Sequence, residues 1–269
     1  MKDKVVIITG ASSGIGRSLA HEYGAKGSKL TVAARDLRKL ELVAEELKAA
    51  GVSVLAVQTD VSSEADCQRL IDETVKAYGK IDILINNAGI SMRAIFRDLD
   101  LDVLRRLMDT NFWGTVYCTK FALPYLLKTK GTVVGVISVA GHIGLPGRTG
   151  YSASKFAVRG FLDALRIENL RTGLHVLVVA PGFTSSNIRK VALTADGSLQ
   201  GETPRNESKM MSPDKVARQI YKAVIHRRRQ LILTFVEGKL AVLVRQWFPR
   251  LVDRQTYNEM AREPDSPFS

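Results

Sequence analysis

Apolar residues in this chain occur as short continuous runs, separated by longer stretches in which apolar positions recur every three or four residues. The runs are typical of strands buried on both faces of a sheet, and the spaced pattern is typical of amphipathic helices. Strands and helices therefore alternate, which predicts βαβ units and a parallel sheet. The predicted strands are residues 5–9, 30–34, 54–58, 83–86, 133–138, 176–180 and 231–234.

Capping residues indicate where the helices begin. Asp36 and Ser63 suit N-cap positions, and Pro213 suits the first turn of the last helix. The predicted fold class is α/β, a Rossmann-like doubly wound sheet of seven parallel strands with helices on both faces, in a single domain over residues 1–235. The predicted helices are residues 16–26, 36–50, 63–78, 102–128, 151–171 and 212–227.

Two segments fall outside this alternation. Residues 183–211 are polar and contain Gly197, Gly201 and Pro204. A loop of this length in a compact domain is usually functional, so we predict a lid. Residues 236–269 are predicted to form a basic, amphipathic C-terminal extension.

A glycine-rich turn follows the first strand. It reads TGASSGIG from Thr9 to Gly16, with glycines spaced G-x-x-x-G-x-G rather than G-x-G-x-x-G. Glycines in such a turn let the backbone approach a phosphate, and the N-terminus of the following helix stabilises negative charge. The turn therefore predicts nucleotide binding.

Four further strand ends carry polar residues or glycine. Asp60 follows the third strand, NNAG (residues 86–89) ends the fourth, Ser138 ends the fifth, and Pro181-Gly182 follow the sixth. The carboxyl ends of parallel strands meet at one edge of the sheet, where α/β proteins bind their ligands. We therefore expect these residues to border one crevice.

Tyr151 and Lys155 stand four residues apart at the start of a predicted helix, in the stretch TGYSASKFAVRGF. Positions i and i+4 share a helix face, so the two side chains can point into the same space. A nearby ammonium favours the phenolate, which suits a tyrosine that exchanges protons near neutral pH. Taken alone, the pair also fits two ordinary surface residues.

Taken together, the motifs resemble those of the short-chain dehydrogenase/reductase family. TGASSGIG, NNAG, Asn111, Ser138, YSASK and PG match that family in order and spacing, from residue 4 to the seventh predicted strand. The resemblance implies hydride transfer between a nicotinamide cofactor and a carbonyl or alcohol carbon. It favours a catalytic pair over two surface residues at Tyr151 and Lys155.

The resemblance also implies individual catalytic roles. Tyr151 is expected to exchange the proton. Lys155 is expected to bind the nicotinamide ribose and, together with the positive nicotinamide of the oxidised complex, to lower the pKa of Tyr151. Ser138 is expected to hydrogen-bond the substrate oxygen. Asn111 is expected to hold a water that links Lys155 to solvent, or else to be a helix asparagine with purely local hydrogen bonds.

The cofactor expected from the resemblance is NADP(H), with NAD(H) less favoured. The acid that selects NAD in this family would stand at Ala34 and is absent, Arg35 is placed to bind a 2′-phosphate, and Asp36 better suits the helix cap. Asp60 is expected to contact the adenine. Ser186, or alternatively Thr184, is expected to hydrogen-bond the carboxamide of the nicotinamide. The predicted cofactor contacts are Gly10, Ser12, Ser13, Gly14, Ile15, Gly16, Arg35, Asp60, Val61, Asn87, Ala88, Gly89, Tyr151, Lys155, Pro181, Gly182, Thr184 and Ser186.

The predicted substrate pocket is mostly apolar, which indicates a hydrophobic carbonyl compound. Residues 96–117 and the Tyr151 motif resemble ketosphinganine reductases and hydroxysteroid dehydrogenases, which favours a lipid-like ketone. His142 is expected as a wall residue rather than as a catalyst. The predicted pocket residues are Ile90, Met92, His142, Ile143, Leu145, Pro146, Ile188, Val191 and Leu193.

Positive charge is concentrated towards the C-terminus. The 269-residue chain carries a net charge of +12, and residues 205–254 hold 12 Lys/Arg against 4 Asp/Glu. Residues 239–254 combine apolar and basic positions in a pattern that suits peripheral contact with a membrane, or a helix packed on its own domain or on another subunit. No recognition motif for nucleic acid accompanies the charge, so no nucleic-acid partner is expected.

The sequence is compatible with several functions. The leading one is NADPH-dependent reduction of a hydrophobic ketone or aldehyde. The alternatives are an NAD(P)-dependent alcohol or hydroxysteroid dehydrogenase working in the oxidative direction, and a non-catalytic NADPH-binding sensor. The family resemblance implies a homodimer or homotetramer formed through residues 102–128 and 151–171.

Without a signal-peptide pattern or a long apolar run, a cytoplasmic location is expected, with peripheral membrane contact as an addition. Cys67 and Cys118 are expected to be reduced core residues, and no metal-ligand spacing is present.

Overall fold

The predicted α/β architecture is confirmed by the computed structural model, which describes residues 1–185, 188–201 and 210–262, with Ser266 and Phe268. The side chains of Val236 and Glu237 lie outside this description. Seven strands form one parallel sheet. They are β1 (Val5–Thr9), β2 (Lys29–Ala34), β3 (Val54–Gln58), β4 (Ile83–Asn86), β5 (Thr132–Val136), β6 (His175–Ala180) and β7 (Gln230–Ile232).

The strand order is β3-β2-β1-β4-β5-β6-β7, and every pairing is parallel. The chain moves outward from β1 through β2 and β3, then returns to the other side of β1 with β4. Such a reversal of strand order opens a crevice above the carboxyl ends of the two central strands. The glycine-rich turn after β1 and the NNAG stretch after β4 therefore face each other.

Helices cover both faces of the sheet. They are α1 (Gly14–Ala25), α2 (Leu37–Ala49), α3 (Glu64–Tyr78), α4 (Leu101–Leu107), α5 (Gly114–Thr129), α6 (Thr149–Glu168), α7 (Pro213–Ile225), α8 (Ala241–Trp247) and α9 (Pro249–Ala261).

The apolar runs are buried on both faces because alternate residues belong to different cores. Val6 and Ile8 of β1 pack in the cluster that contains residues of α1, α2 and α7, and Ile7 packs in the cluster with α3, α5 and α6. Cys67 and Cys118 are buried free thiols in the second cluster, with their Sγ atoms 3.4 Å apart. They are reduced core residues, as expected.

The helix predicted over residues 102–128 is interrupted in the structure. A π-helical turn over Met108–Trp113 separates α4 from α5 and contains the buried Asn111. Such turns insert an extra residue into a helix and often occur at functional sites. The sequence pattern missed this turn, because its cause is a long-range contact: both ends of the Asn111 amide hydrogen-bond the main chain of Ile90.

Several element boundaries differ from the prediction by one to three residues, and three of them lie near the strand ends or the Tyr151 motif. β5 ends at Val136, and Ser138 precedes a short 3₁₀ turn, Val139–Gly141, where its Oγ accepts a 3.2 Å hydrogen bond from the Ala140 amide. β7 is shorter than predicted and ends at Ile232. α6 begins at Thr149, which places Tyr151 in its first turn.

The basic residues near the C-terminus are separated in space. Arg227 donates a 2.7 Å hydrogen bond to the Gly173 carbonyl, and the Arg228 carbonyl lies 2.8 Å from Nε2 of His175, so this part of the basic run lies at the amino edge of the sheet. After β7 a second π-helical segment, Phe235–Leu240, leads into α8 and α9. Within the described ranges, no helix is long and apolar enough to cross a membrane.

Asp82 is a buried carboxylate that joins the amino ends of β1 and β4. It accepts hydrogen bonds from Lys4 Nζ at 2.7 Å and from the Val5 amide at 2.9 Å, and Lys80 Nζ lies 3.0 Å away. Burial raises the pKa of this carboxyl, but the hydrogen bonds from Lys4, Val5 and Lys80 outweigh burial and lower the pKa below its usual value.

Replacing this carboxylate tests how far the sheet depends on it. We expect Asp82→Ala to lower the free energy of unfolding at pH 7 by about 2–3 kcal/mol, because the Val5 amide loses a charged partner. A lowered pKa stabilises the fold above the unfolded-state pKa, so the difference should shrink as the pH falls below about 4. Urea titrations of both proteins measure the difference in the free energy of unfolding. The exposed Asp72→Ala is the control, and equal stabilities of the two variants would contradict the prediction.

Candidate active site

A cleft of about 1290 Å³ opens at the carboxyl edge of the sheet. Its volume exceeds the roughly 300–1,000 Å³ that is usual for a site holding one small ligand. One half is bordered by the glycine-rich turn and the ends of β2, β3 and β4, and the other half by the turn after β5, the start of α6, the lid and the C-terminal helices. The cleft can therefore hold a dinucleotide and a second molecule together.

The glycine-rich turn fits the phosphates of a dinucleotide. Gly10 and Gly14 have φ of 65° and 53°, which side chains rarely adopt, and a Cβ on Gly16 would lie 2.1 Å from the Gly10 carbonyl oxygen. Ser13 is the N-cap of α1 and makes no side-chain capping bond among the described residues, so the first-turn amides of α1 face the cleft. These features create a cradle for a phosphate.

The NNAG stretch is fixed to this turn by hydrogen bonds. The Asn87 side chain donates to the Thr9 carbonyl at 2.9 Å, and the Thr9 hydroxyl accepts from the amides of Asn87 and Ala88 at 3.0 Å. These bonds tie the end of β4 to the end of β1.

At the far end of β2, charged residues occupy the position where a dinucleotide ribose would lie. Ala34 is buried, and Arg35, Asp36 and Lys39 line the cleft. The Asp36 carboxylate accepts a 3.1 Å hydrogen bond from the Lys39 amide as the cap of α2 and lies 3.0 Å from Lys39 Nζ. Asp36 therefore caps the helix and pairs with Lys39, while Arg35 also borders the cleft.

Tyr151, Lys155 and Ser138 meet at the junction of the two halves of the cleft. Tyr151 and Lys155 are one turn apart on α6 and only 8% and 4% exposed, and Lys155 Nζ lies 5.8 Å from the centroid of the Tyr151 ring. Lys155 Nζ also donates a 3.1 Å hydrogen bond to the main-chain carbonyl of Val136, at the end of β5.

Asn111 lies behind this group rather than on the cleft wall. Its Oδ1 accepts from the Ile90 amide at 2.8 Å, and its Nδ2 donates to the Ile90 carbonyl at 3.0 Å and to the Ser154 hydroxyl at 2.9 Å. A Cβ on Gly89 would lie 2.9 Å from Asn111 Oδ1 and 3.2 Å from Lys155 Nζ, so both residues border Gly89. The side chain of Asn111 is thus locally satisfied, and a bound water remains a prediction.

Burial dominates the ionisation of the tyrosine and the lysine. It raises the pKa of Tyr151, and the Ser138 hydroxyl and the Arg148 guanidinium act in the opposite direction without reversing the shift. Burial also lowers the pKa of Lys155 to about 8. Loss of solvent thus outweighs the charge of Arg148. The lowering expected from Lys155 and the positive nicotinamide acting together stays a prediction.

Arg148 is a cleft residue that the sequence did not indicate. It precedes α6, is 7% exposed, and donates a 3.2 Å hydrogen bond to the Ser91 hydroxyl. Arg189 is a second buried cation on the cleft wall, with Nη2 donating to the Thr184 carbonyl at 3.1 Å. Arginines in loops follow no periodic pattern, so no sequence signal marked either one.

Most of the predicted cofactor contacts border the cleft. Gly16 instead lies beneath the glycine-rich turn, and Ser186 lies outside the described residues. Those on the cleft wall are Gly10, Ser12, Ser13, Gly14, Ile15, Arg35, Asp60, Val61, Asn87, Ala88, Gly89, Tyr151, Lys155, Pro181, Gly182 and Thr184.

The predicted substrate residues divide into two groups. Met92 is fully buried beneath the wall, and Pro146 borders a separate shallow depression beside α9. The residues on the wall are Ile90, Ile143, Leu145, Ile188, Val191 and Leu193. The last three belong to residues 183–211, whose role as a lid stays a prediction and of which 186–187 and 202–209 lie outside the described residues. The Leu193 amide donates to the Ser91 carbonyl and the Arg93 amide donates to the Leu193 carbonyl, both at 2.8 Å, which joins this segment to the loop after β4.

His142 is the clearest departure from the expected pocket, because it does not border the cleft. Its Nδ1 lies 2.7 Å from Arg159 Nη1, its Nε2 lies 3.2 Å from the Gln230 amide nitrogen, and its carbonyl accepts a 2.6 Å hydrogen bond from Arg245 of α8. Burial and the charge of Arg159 lower the pKa of His142 to about 4. It is a neutral structural link between α6, β7 and α8.

The C-terminal helices supply part of the cleft wall. Ala241 and Val244 of α8 and Val252 and Met260 of α9 face the cleft, and Val252 and Met260 are buried. The sequence placed residues 236–269 in an extension of the domain, and it gave no sign that they would meet the substrate half of the cleft. Only the tertiary fold shows that contact.

Comparison with known proteins identifies the family. A sequence model of the short chain dehydrogenase family matches residues 4–196. The protein belongs to the short-chain dehydrogenase/reductase family. The chain is 34% identical over 274 residues to the mouse protein "Dehydrogenase/reductase SDR family member 7B", covering 100% of this chain and 85% of that protein.

Further relatives and solved structures agree with this assignment. The chain is 44% identical over 187 residues to "11-beta-hydroxysteroid dehydrogenase-like 3" of Arabidopsis thaliana, covering 69% of this chain and 60% of that protein. A short chain dehydrogenase/reductase from Burkholderia phymatum in complex with NAD has a similar structure, with a TM-score of 0.81 and 25% identity over 94% of this chain and 95% of that one. The fold also matches an alcohol dehydrogenase of Thermococcus sibiricus, with a TM-score of 0.77 and 24% identity over 88% of this chain and 99% of that one.

The buried ammonium should lower the stability of the fold. A lysine whose folded-state pKa is about 8 destabilises the fold below that pH, and the penalty disappears as the pH rises towards 10.5. We expect Lys155→Met to raise the free energy of unfolding by roughly 2 kcal/mol at pH 7, and by much less at pH 10. Denaturant titrations at both pH values check this, with the exposed Lys128→Met as control. Lower stability of Lys155→Met at pH 7 would disprove it.

Proposed function

We propose that this protein is an NADPH-dependent oxidoreductase that reduces a hydrophobic ketone or aldehyde to an alcohol. The observation that carries the proposal is the position of Tyr151, Ser138 and Lys155. They stand where a cradle for a dinucleotide meets a chamber whose walls carry apolar side chains of the lid, α8 and α9 beside the cations of Arg148 and Arg189. A nicotinamide bound in the first half and an apolar carbonyl compound in the second would meet at these three side chains.

The preference for NADPH over NADH is supported by the charges at the end of β2. An NAD site usually places a carboxylate at the ribose 2′-hydroxyl. Here Asp36 is held in the cap of α2, and the cations of Arg35 and Lys39 lie beside the cleft. A 2′-phosphate would pair with these cations, whereas a 2′-hydroxyl would gain little from them.

The roles of the chain's residues follow from their positions. The nicotinamide, when bound, supplies the hydride to the carbonyl carbon. Tyr151 donates a proton to the carbonyl oxygen, and the Ser138 hydroxyl hydrogen-bonds that oxygen as it gains charge. Lys155, fixed by the Val136 carbonyl, binds the ribose and places positive charge beside the phenol.

The protonated form of Tyr151 fits the role of proton donor in reduction. A phenol is protonated at neutral pH at its ordinary pKa, and burial raises that pKa further. The similarity to hydroxysteroid dehydrogenase-like proteins supports an apolar substrate.

The cofactor proposal predicts a selective loss of affinity. Arg35→Ala should raise the Kd for NADPH by roughly 10- to 100-fold, because a charged hydrogen bond to phosphate is lost, and should hardly change the Kd for NADH. Titration calorimetry with both nucleotides measures the two constants. Arg38→Ala, on the exposed side of α2, is the control. Tighter binding of NADH than NADPH by the unaltered protein would refute the preference.

The catalytic proposal predicts a loss of turnover without a loss of binding. Tyr151→Phe should lower kcat by at least about 100-fold, because the proton donor is removed, while NADPH affinity is retained. The rate of NADPH oxidation with a panel of substrates, from small diketones to a long-chain 3-keto sphingoid base, measures kcat. Tyr125→Phe, outside the cleft, is the control. Unchanged turnover in Tyr151→Phe would overturn the mechanism, and tight NADPH binding without any turnover would favour a sensor.

A further inference from the structure

The corner between α8 and α9 exposes an unusual set of large apolar side chains. Trp247 is 76% exposed and Phe248 is 64% exposed, where a soluble protein usually shows such residues singly. The whole set lies between residues 235 and 251. Its members, which we call the C-terminal corner, are Phe235, Leu240, Leu243, Trp247, Phe248 and Leu251.

Helical spacing gives α8 two apolar faces. Leu243 and Trp247 are four residues apart and share the outer face, while Ala241 and Val244 share the face that lines the cleft. Leu240 and Leu251 lie at the edge between the two, because they line the cleft and are also 42% and 59% exposed. The inner face is covered by the cleft and its contents. Leu243 and Trp247 are 59% and 76% exposed, so the described parts of the chain leave the outer face uncovered and its apolar area requires a different explanation.

Cations surround the apolar residues of this corner. Residues 239–254 contain four Lys/Arg and one Asp. Lys239, Arg250 and Arg254 are exposed, and Arg250 and Arg254 are one turn apart on α9. Arg245 is held by the His142 carbonyl, which fixes α8 to the domain. The corner therefore combines apolar area, an interfacial tryptophan and positive charge on a fixed support.

We propose that the C-terminal corner docks this protein onto the surface of an anionic lipid bilayer. Trp and Phe side chains favour the depth of the headgroups, and exposed Lys and Arg are attracted by anionic headgroups. A second copy of the chain fits the corner less well. A two-fold contact would bring the same cationic face of each copy together, and like charges repel.

Docking through the C-terminal corner would also orient the cleft. The helices that carry it also line the substrate half of the cleft, so a docked molecule presents that half towards the lipid surface, where apolar compounds concentrate. Docking itself does not depend on the proposed reaction. It is therefore tested by binding alone, and a failure of either proposal leaves the other standing.

The experiment is co-sedimentation of the full chain with vesicles of phosphatidylcholine alone or mixed with phosphatidylserine. We expect binding to the mixed vesicles, reduced by salt, and little binding to phosphatidylcholine. Arg250→Gln/Arg254→Gln should lower the partition coefficient by roughly 20-fold, because each cation near an anionic surface contributes to binding. Trp247→Ser/Phe248→Ser should lower it by at least about 10-fold.

Matched controls separate docking from misfolding. Leu42→Ser/Ile225→Ser removes two exposed apolar side chains elsewhere, on α2 and α7, and should bind mixed vesicles as the unaltered protein does. The midpoint of thermal unfolding should be the same for all variants. The proposal is overturned if the unaltered chain does not bind mixed vesicles, or if Trp247→Ser/Phe248→Ser binds them equally well. It is also overturned if that variant only converts a dimer into a monomer.

Discussion

The buried ammonium group of Lys155 determines which groups can pack around it. Lys155 keeps only 4% of its side chain exposed, so its hydrogen-bond partners must come from the chain or from a ligand. The end of β5 supplies the Val136 carbonyl, and Gly89 after β4 leaves the space that a Cβ would fill. The amide of Asn111, on the π-helical turn, borders the same space. Two strand ends and two helical segments are thus arranged around one charge.

The cleft joins two environments that suit different ligands. Its nucleotide half is formed by main-chain amides, glycines and cations at the edge of the sheet, which come from the first ninety residues. Its other half is formed by apolar side chains of the lid and the C-terminal helices. Tyr151 lies at the boundary, where a polar cofactor and an apolar compound can touch. The glycine-rich turn and the strand ends thus shape the first half, and the lid segment with the C-terminal helices shapes the second.

The sequence predicted the parts of this structure that depend on local pattern. The apolar runs located all seven strands, and the residues at their carboxyl ends did converge on one cleft. The π-helical turn at Asn111 was missed, because it depends on hydrogen bonds to Ile90, twenty-one positions away. His142 was misplaced for a similar reason, since its partners lie on α6, β7 and α8. Contacts between distant segments leave no periodic signal.

The hydrogen bond from Arg245 to the His142 carbonyl couples the position of α8 to the turn after Ser138. It connects α8, which covers part of the cleft, to the residue that follows the short turn after Ser138. Any outward movement of α8 must break this bond or pull on that turn. The position of α8 at the cleft and the position of the Ser138 hydroxyl are therefore coupled through His142.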